Sequence, residues 1–146
     1  METLYTTNSI EETRSVGRKL AQQMMPGKIF CLTGDLGSGK TTFTQGILEG
    51  LGASGPYSSP TFVIMKQYDL PFPKNGIERV YHVDAYRVDN KDFKTLGFSE
   101  WCEDAKGVVI LEWPERVTEL LPKEKIEITF KNVSENEREI IINKTT

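Results

Sequence analysis

The sequence predicts an α/β fold with one central sheet, and three observations support this. Residues 28–51 run from an apolar stretch through a glycine-rich loop to an amphipathic stretch, the order of a strand, a turn and a helix. The predicted strands at residues 77–84 and 107–112 each end with a mainly apolar run, 80–83 or 108–111, followed directly by a carboxylate. Residues 125–143 alternate apolar and polar side chains around a polar turn. We therefore expect a three-layer sandwich in which a mixed, mainly parallel central sheet is flanked by helices and carries a C-terminal antiparallel hairpin.

Length and composition narrow the class of protein. A chain of 146 residues with 38% hydrophobic and 27% charged residues suits a single globular domain over residues 1–146. The net charge of -3, without a basic block, disfavours a nucleic-acid surface of its own, so a partner would hold any RNA. No apolar stretch is long enough to span a membrane, and residues 1–5 lack a signal-peptide pattern. Cys31 and Cys102 have neither metal-ligand spacing nor the number of a disulfide scaffold. These observations predict a cytoplasmic protein.

The first third of the chain predicts two strands and two helices. Residues 2–6 read as a short strand, and Ser9 with Glu12 forms a capping box that begins an amphipathic helix ending before Pro26. Residues 28–33 alternate little, which is typical of a central strand buried on both faces. The next helix, from residue 41 to 51, stops at Gly52.

The remaining elements follow from apolar runs and turn residues. We expect strands over residues 61–68 and 77–84, paired as a hairpin through a turn at 71–76. A polar region with short helices then runs to Lys106, followed by a buried strand at 107–112. Pro114 opens a short helix at a favourable first position. Residues 125–131 and 139–143 form the terminal hairpin.

Residues 34–42, with the sequence GDLGSGKTT, match the phosphate-binding pattern G-x-x-x-x-G-K-[ST] between the predicted strand and helix. Glycines allow the backbone to turn and direct its N–H groups at an anion near the helix N-terminus. Lys40 is predicted to contact the β and γ phosphates, Thr41 to offer its hydroxyl to Mg²⁺ and Thr42 to contact the α phosphate. The motif in this context predicts a P-loop NTPase-like fold.

Two carboxylates are placed to complete a hydrolytic site. Asp84 and Glu112 each lie at the carboxyl end of an apolar strand, the edge of an α/β sheet where ligands bind. Hydrolysis needs a carboxylate near the metal ion and a group that orients water. The sequence alone does not show which acid binds the metal ion and which orients water. For each acid, the alternative is an ordinary surface carboxylate without a role in the site.

Other candidates are less specific. His82 points to the same face of its strand as Asp84, and a supporting polar role is favoured over direct catalysis. Thr61 either senses the γ phosphate, as switch loops do, or caps a turn. Five further residues are site candidates because they are predicted to lie in loops beside the acids, and ordinary packing is the alternative for each: Tyr86, Arg87, Trp101, Trp113 and Arg116.

Four segments in order resemble one family. They are GDLGSGKTT at 34–42, SPTF at 59–62, HVDAYR at 82–87 and EWPE at 112–115, and together they resemble the TsaE (formerly YjeE) family of bacterial ATPases over nearly the whole chain. The resemblance implies a Mg²⁺-dependent, ATP-binding and ATP-hydrolysing subunit required to form threonylcarbamoyladenosine in tRNAs next to the anticodon. It further implies a complex with a threonylcarbamoyl transferase and its inactive paralogue, with tRNA reached through that complex and no membrane involved.

The resemblance also assigns residues. Thr41 and Glu112 look like the Mg²⁺ ligands, Asp84 like a catalytic acid beside Lys40, and Thr61 like the switch threonine. The segment around Ile10, with Arg116 and Arg138, looks like the wall around the base and ribose. Ser38 stands where the family usually has alanine, and we expect phosphate binding to be kept. The implied nucleotide-binding set is Ile10, Gly37, Ser38, Gly39, Lys40, Thr41, Thr42, Arg116 and Arg138.

Three other functions are alternatives to a partner-stimulated ATPase. A small-molecule kinase usually carries an arginine-bearing lid, whereas the six arginines of this chain are dispersed. A GTPase is disfavoured because no Asn-Lys-x-Asp motif is present. A non-hydrolysing nucleotide-dependent adaptor stays open, although Lys40, Thr41 and Glu112 favour hydrolysis. Because no arginine finger lies near the loop in sequence, we expect weak hydrolysis by the isolated protein.

Overall fold

The structure, a computed structural model, describes residues 2–35, 37–60 and 64–144. Within these residues no helix is both long and apolar enough to cross a membrane. The elements in chain order are β1 (Glu2–Thr7), α1 (Ile10–Ala21), β2 (Ile29–Thr33), α2 (Lys40–Leu51), β3 (Met65–Lys74), β4 (Ile77–Asp84), α3 (Asn90–Leu96), α4 (Phe98–Glu103), β5 (Gly107–Glu112), 3-10 helices at Pro114–Arg116 and Thr118–Leu120, β6 (Ile126–Asn132) and β7 (Arg138–Lys144).

The seven strands form one mixed sheet in the order β1-β7-β6-β2-β5-β4-β3. The four central strands, β6, β2, β5 and β4, are parallel to one another. The outer pairings, β1 with β7, β7 with β6 and β4 with β3, are antiparallel. This arrangement confirms the predicted α/β fold with a mixed sheet, including the C-terminal hairpin of β6 and β7.

Helices cover the sheet on both faces, so the central strand β2 buries side chains on each face. Successive side chains of a strand point to opposite faces, so Phe30 and Leu32 pack into one core while Ile29 and Cys31 pack into the other. The first core contains buried residues of α1 and α2, and the second contains Phe93 of α3 with α4 residues. All four of these β2 side chains are buried, as predicted for a central strand.

Most predicted boundaries agree with the structure, but the hairpin of β3 and β4 differs. The predicted turn at 71–76 is wrong, because β3 continues through Pro71 and Pro73. β3 is an edge strand of the sheet, so one side of it needs no ladder hydrogen bonds and prolines are tolerated there. The turn is only Asn75-Gly76, whose φ angles of 54° and 85° fit a tight two-residue hairpin. Residues 61–63, predicted to begin this strand, lie outside the described part of the chain.

Two glycines bring α1 and α2 into backbone contact. A Cβ atom added to Gly17 would lie 2.3 Å from the carbonyl oxygen of Phe43, and one added to Gly46 would lie 2.1 Å from that of Arg14. Both distances are far below van der Waals contact, so neither position accepts a side chain without movement of a helix. This close packing fixes α2, which begins at Lys40, against α1.

We predict that Gly46→Ala lowers the free energy of unfolding by about 2 kcal/mol. The added methyl group must push the helices apart, and that cost exceeds the helix-propensity gain of alanine, which is about 1 kcal/mol. Urea unfolding followed by circular dichroism measures the change. Ser15→Ala, at an exposed position of α1, is the control and should be nearly neutral. A Gly46→Ala protein as stable as wild type would contradict the packing argument.

Candidate functional site

The loop between β2 and α2 has the geometry of an anion cradle. Gly37 and Gly39 have φ angles of 78° and 104°, in the left-handed region that favours glycine. Gly39 is the N-cap of α2, and within the described residues no side chain caps it. The N–H groups of the first turn are therefore left for a ligand, and the positive end of the helix dipole favours an anion.

Both predicted carboxylates lie beside this loop. Glu112 of β5 is in register with Leu32 of β2 on one side and with Asp84 of β4 on the other. The two acids thus occupy neighbouring positions at the carboxyl edge of the sheet, where β2 also ends. Only 6% of Asp84 and 4% of Glu112 is exposed. The structure brings the acids and the loop together as the strand-end argument expected.

Each carboxylate is held by a specific contact. The backbone N–H of Tyr86 donates to Asp84 Oδ1 at 2.9 Å. His82 Nε2 lies 2.7 Å from Glu112 Oε2, with both side chains buried. His82 does not line the cavity described below, and its Nδ1 has no hydrogen-bond partner among the described residues. This position agrees with a supporting role for His82, which orients Glu112.

The side chain of Lys40 is buried without a hydrogen-bond partner in the described part of the chain. Its Nζ lies 3.8 Å from the centroid of the Trp113 ring. Burial lowers the pKa of Lys40, and nearby carboxylates, led by Glu112, act in the opposite direction. A buried ammonium without hydrogen bonds is costly, so its environment indicates a site for an anionic ligand.

These groups face one cavity with a volume of about 350 Å³, within the range of small-molecule sites. α1, the phosphate loop, the strand ends and the turn between β6 and β7 all contribute to its wall. The lining residues are Ser9, Ile10, Thr13, Gly37, Gly39, Lys40, Thr41, Thr42, Ser59, Asp84, Glu112, Trp113, Glu135, Asn136 and Arg138. Most of the predicted site residues are among them.

Two predicted residues that the structure describes, Ser38 and Arg116, do not line this cavity. Ser38 is buried in the loop, and its Oγ has no hydrogen-bond partner among the described residues. Arg116 lies exposed in the 3-10 helix after Trp113, and its predicted place beside the base stays a prediction. Its guanidinium lies 5.2 Å from the centroid of the Tyr86 ring. Thr61 lies outside the described residues.

Arg138 joins the cavity to the C-terminal hairpin. Its guanidinium donates to the carbonyl oxygen of Gly37 at 3.3 Å, and also to the carbonyl oxygens of Ser134, Glu135 and Glu137 in the hairpin turn. The same side chain therefore holds the turn together and holds it against the phosphate loop. Its predicted place near the nucleotide agrees with its position in the cavity wall.

Sequence reasoning missed several lining residues. Glu135 and Asn136 belong to a polar hairpin turn that no motif distinguishes from an ordinary surface turn. They reach the cavity because β6 lies parallel to β2, which places the turn after β6 at the same edge as the phosphate loop. The sequence marks Trp113 only as a loop residue near an acid, and its contact with Lys40 has no sequence signal.

Comparisons with known proteins agree with this geometry. A family model described as threonylcarbamoyl adenosine biosynthesis protein TsaE matches residues 7–140. The chain belongs to the TsaE family. The TsaE protein of Bacillus subtilis (strain 168) is 40% identical over 130 residues, which cover 89% of this chain and 78% of that protein. The TsaE protein of Treponema pallidum (strain Nichols) is 32% identical over 137 residues, covering 93% and 96% of the two chains.

A solved structure confirms the TsaE fold. The crystal structure of Bacillus subtilis YdiB matches this chain with a TM-score of 0.79 and 33% sequence identity, covering 100% of this chain and 87% of that one. Both curated relatives above carry the name tRNA threonylcarbamoyladenosine biosynthesis protein. The resemblance inferred from the four sequence segments is therefore confirmed, and this chain presents the cavity of a TsaE-family protein.

Proposed function

We propose that this TsaE-family protein is a Mg²⁺-dependent ATPase subunit that acts in the formation of threonylcarbamoyladenosine in tRNA. The observation that carries the proposal is the buried Lys40 ammonium, which has no hydrogen-bond partner among the described residues and lies between a glycine loop and two carboxylates. Such a group needs an anion, and the uncapped start of α2 supplies N–H donors for the same anion. The phosphates of ATP meet both requirements.

A magnesium ion fits the oxygen groups of the cavity. Thr41 offers an exposed hydroxyl and Glu112 a carboxylate, and both line the cavity. Over the residues that the structure describes, no cluster of three His, Cys, Asp or Glu side chains is arranged to hold a metal by itself. Mg²⁺ often takes only one or two protein ligands and completes its shell with phosphate oxygens and water. When bound, it would neutralise charge on the β and γ phosphates.

We assign the remaining carboxylate, Asp84, to the attacking water. Its carboxylate is oriented by the N–H of Tyr86, and it lies one strand farther from the phosphate loop than Glu112 does. The contact of His82 Nε2 with Oε2 of Glu112 fixes the Glu112 carboxylate, which suits it to a fixed metal contact. The γ-phosphate sensing by Thr61 stays a prediction of the sequence.

The other end of the cavity suits the base and ribose. Ile10 is an apolar side chain that is 69% exposed at the first position of α1, and it lines the cavity. An exposed isoleucine there offers a surface for one face of the base. Arg138 and the turn residues Glu135 and Asn136 lie at the cavity wall with polar groups for the sugar and base edges.

Partners complete the proposal. We propose that the protein acts in the cytoplasm with a threonylcarbamoyl transferase and its inactive paralogue, and that tRNA is bound through this complex. The net charge of -3 supports indirect contact with tRNA. In the described part of the cavity wall, Arg138 is the one arginine, and its guanidinium is engaged by backbone carbonyls. Little in the chain besides Lys40 and Mg²⁺ would neutralise charge in the transition state.

We predict that Lys40→Ala weakens ATP binding by about 10- to 100-fold, because it removes one charge-assisted contact to the phosphates. Isothermal titration calorimetry measures the dissociation constant. Lys28→Ala, an exposed lysine just before β2 at the opposite edge of the sheet, is the matched control and should bind ATP like wild type. Unchanged affinity in Lys40→Ala would refute the assigned phosphate site.

We expect Glu112→Gln to leave nucleotide binding without metal largely intact and to abolish Mg²⁺-dependent hydrolysis. The substitution keeps the shape of the side chain but removes the negative charge that balances the metal. Calorimetry with EDTA and phosphate release with Mg²⁺ separate the two effects. Full hydrolysis by Glu112→Gln would transfer the metal role to Asp84.

The partner complex should accelerate hydrolysis by about 100-fold, because a group that lowers the barrier by about 3 kcal/mol has this effect on the rate. Single-turnover hydrolysis with and without the transferase pair measures the ratio. Thr61→Ala tested in parallel shows whether the switch threonine takes part. Equal rates with and without the partners would reject stimulation, and no hydrolysis in either case would favour the nucleotide-dependent adaptor.

A further inference from the structure

A row of side chains in contact with one another connects the buried lysine of the site to the protein surface. Lys40 Nζ lies 3.8 Å from the centroid of the Trp113 ring. The rings of Trp113 and Tyr86 are 4.9 Å apart between centroids. The guanidinium carbon of Arg116 lies 5.2 Å from the centroid of Tyr86. We call these four residues, Lys40, Trp113, Tyr86 and Arg116, the aromatic ladder.

The backbone at Trp113 is shaped for this contact. Trp113 has φ 61° and ψ 49°, a left-handed conformation that bulky residues rarely adopt. It directly follows Glu112, the last residue of β5, and precedes Pro114. Residues in such conformations persist only where their surroundings fix them, and they often mark ligand sites. The turn places the indole against the ammonium instead of continuing the strand direction.

The indole and a nucleotide would use the same ammonium. A cation over a ring is stabilised by the electrons of the ring face, and the effect is larger when the cation is shielded from water. Phosphate oxygens would instead accept short, charge-assisted hydrogen bonds from the same nitrogen. Lys40 and Trp113 both line the cavity, and in the part of the chain that is described the ammonium makes no hydrogen bond. The ring therefore lies against the group to which the phosphates would bind.

We propose that the Trp113 ring occupies the position beside Lys40 that the nucleotide phosphates take on binding, which we call its placeholder role. Displacement of the ring then changes the packing of Tyr86 and Arg116 at the surface. The indole stabilises Lys40 in the absence of a nucleotide, and the phosphates replace it on binding. This inference rests on the proposed ATP site and extends it with a competing internal group. It makes Trp113 a positioning residue that acts through Lys40.

The outer end of the ladder is where a partner would detect the change. Tyr86 is 41% exposed and Arg116 is exposed, so both are accessible at the protein surface. Tyr86 loses its ring contact when Trp113 moves, which frees its side chain and that of Arg116 to rearrange. The backbone of Tyr86 also holds Asp84, so the same residue contacts the proposed water-orienting acid. Binding of phosphates at Lys40 thereby changes the arrangement of one aromatic side chain, Tyr86, and one cationic side chain, Arg116, at the protein surface.

Tryptophan fluorescence tests whether phosphates displace the Trp113 ring from Lys40. The chain has two tryptophans, and the ring contacts of Trp101 are with Tyr81, Phe93 and Phe98 and not with the ladder, so Trp101→Phe leaves Trp113 as the sole tryptophan reporter. The probes are inorganic tripolyphosphate, a non-hydrolysable ATP analogue and adenosine. We expect tripolyphosphate and the analogue to change the Trp113 emission alike, and adenosine to leave it unchanged.

The opposite patterns overturn the inference. A change with adenosine but not with tripolyphosphate would mean that Trp113 stacks on the base. Calorimetric binding of the analogue without any change in emission would reject displacement while the ATP site stands. Absence of analogue binding by calorimetry would reject the proposed function, and the inference with it.

Affinity gives a second, independent readout. Trp113→Leu removes the competing ring, so tripolyphosphate should bind about 2- to 30-fold more tightly, the range that corresponds to measured cation–π strengths. Trp113→Phe keeps a weaker ring and should fall between the two, which also covers the case in which the leucine variant does not fold. Unchanged or weaker binding of tripolyphosphate in the folded variants would overturn the placeholder role.

Discussion

The burial of the Lys40 ammonium is the physical constraint on which the site depends. The side chain is 5% exposed and makes no hydrogen bond within the described residues, although two buried carboxylates lie near it. The carboxylates are themselves engaged, Glu112 by His82 and Asp84 by the N–H of Tyr86. An aromatic ring provides the cation with a partner that does not neutralise it. The site therefore keeps a positive charge available for an anionic ligand.

The fold supplies this arrangement through two kinds of contact. Parallel pairing of β2, β5 and β4 sets the phosphate loop, Glu112 and Asp84 side by side without any direct link in sequence. Backbone contact between α1 and α2, through Gly17 and Gly46, fixes the helix that begins at Lys40. Arg138 then ties the C-terminal hairpin to Gly37. Each contact lies outside the phosphate-binding motif, yet together they determine the shape of the cavity.

Sequence patterns predicted the central elements because local signals and burial agree there. The ranges 77–84 and 107–112 match β4 and β5 residue for residue, since apolar runs that end in an acid leave little choice of boundary. Prediction failed where tertiary position overrides local preference: β3 passes through two prolines because it is an edge strand. Glu135, Asn136 and Trp113 line the cavity although no motif assigns them to it, because long-range strand pairing and a left-handed residue decide their places.

The most direct test is a crystal structure of the protein with Mg²⁺ and a non-hydrolysable ATP analogue. We predict that β- and γ-phosphate oxygens lie within hydrogen-bond distance of Lys40 Nζ and that Mg²⁺ contacts Thr41 Oγ1 and a carboxylate oxygen of Glu112. A nucleotide whose phosphates lie outside the loop of residues 34–42, or an ammonium of Lys40 that contacts no phosphate in the occupied site, would contradict the central claim.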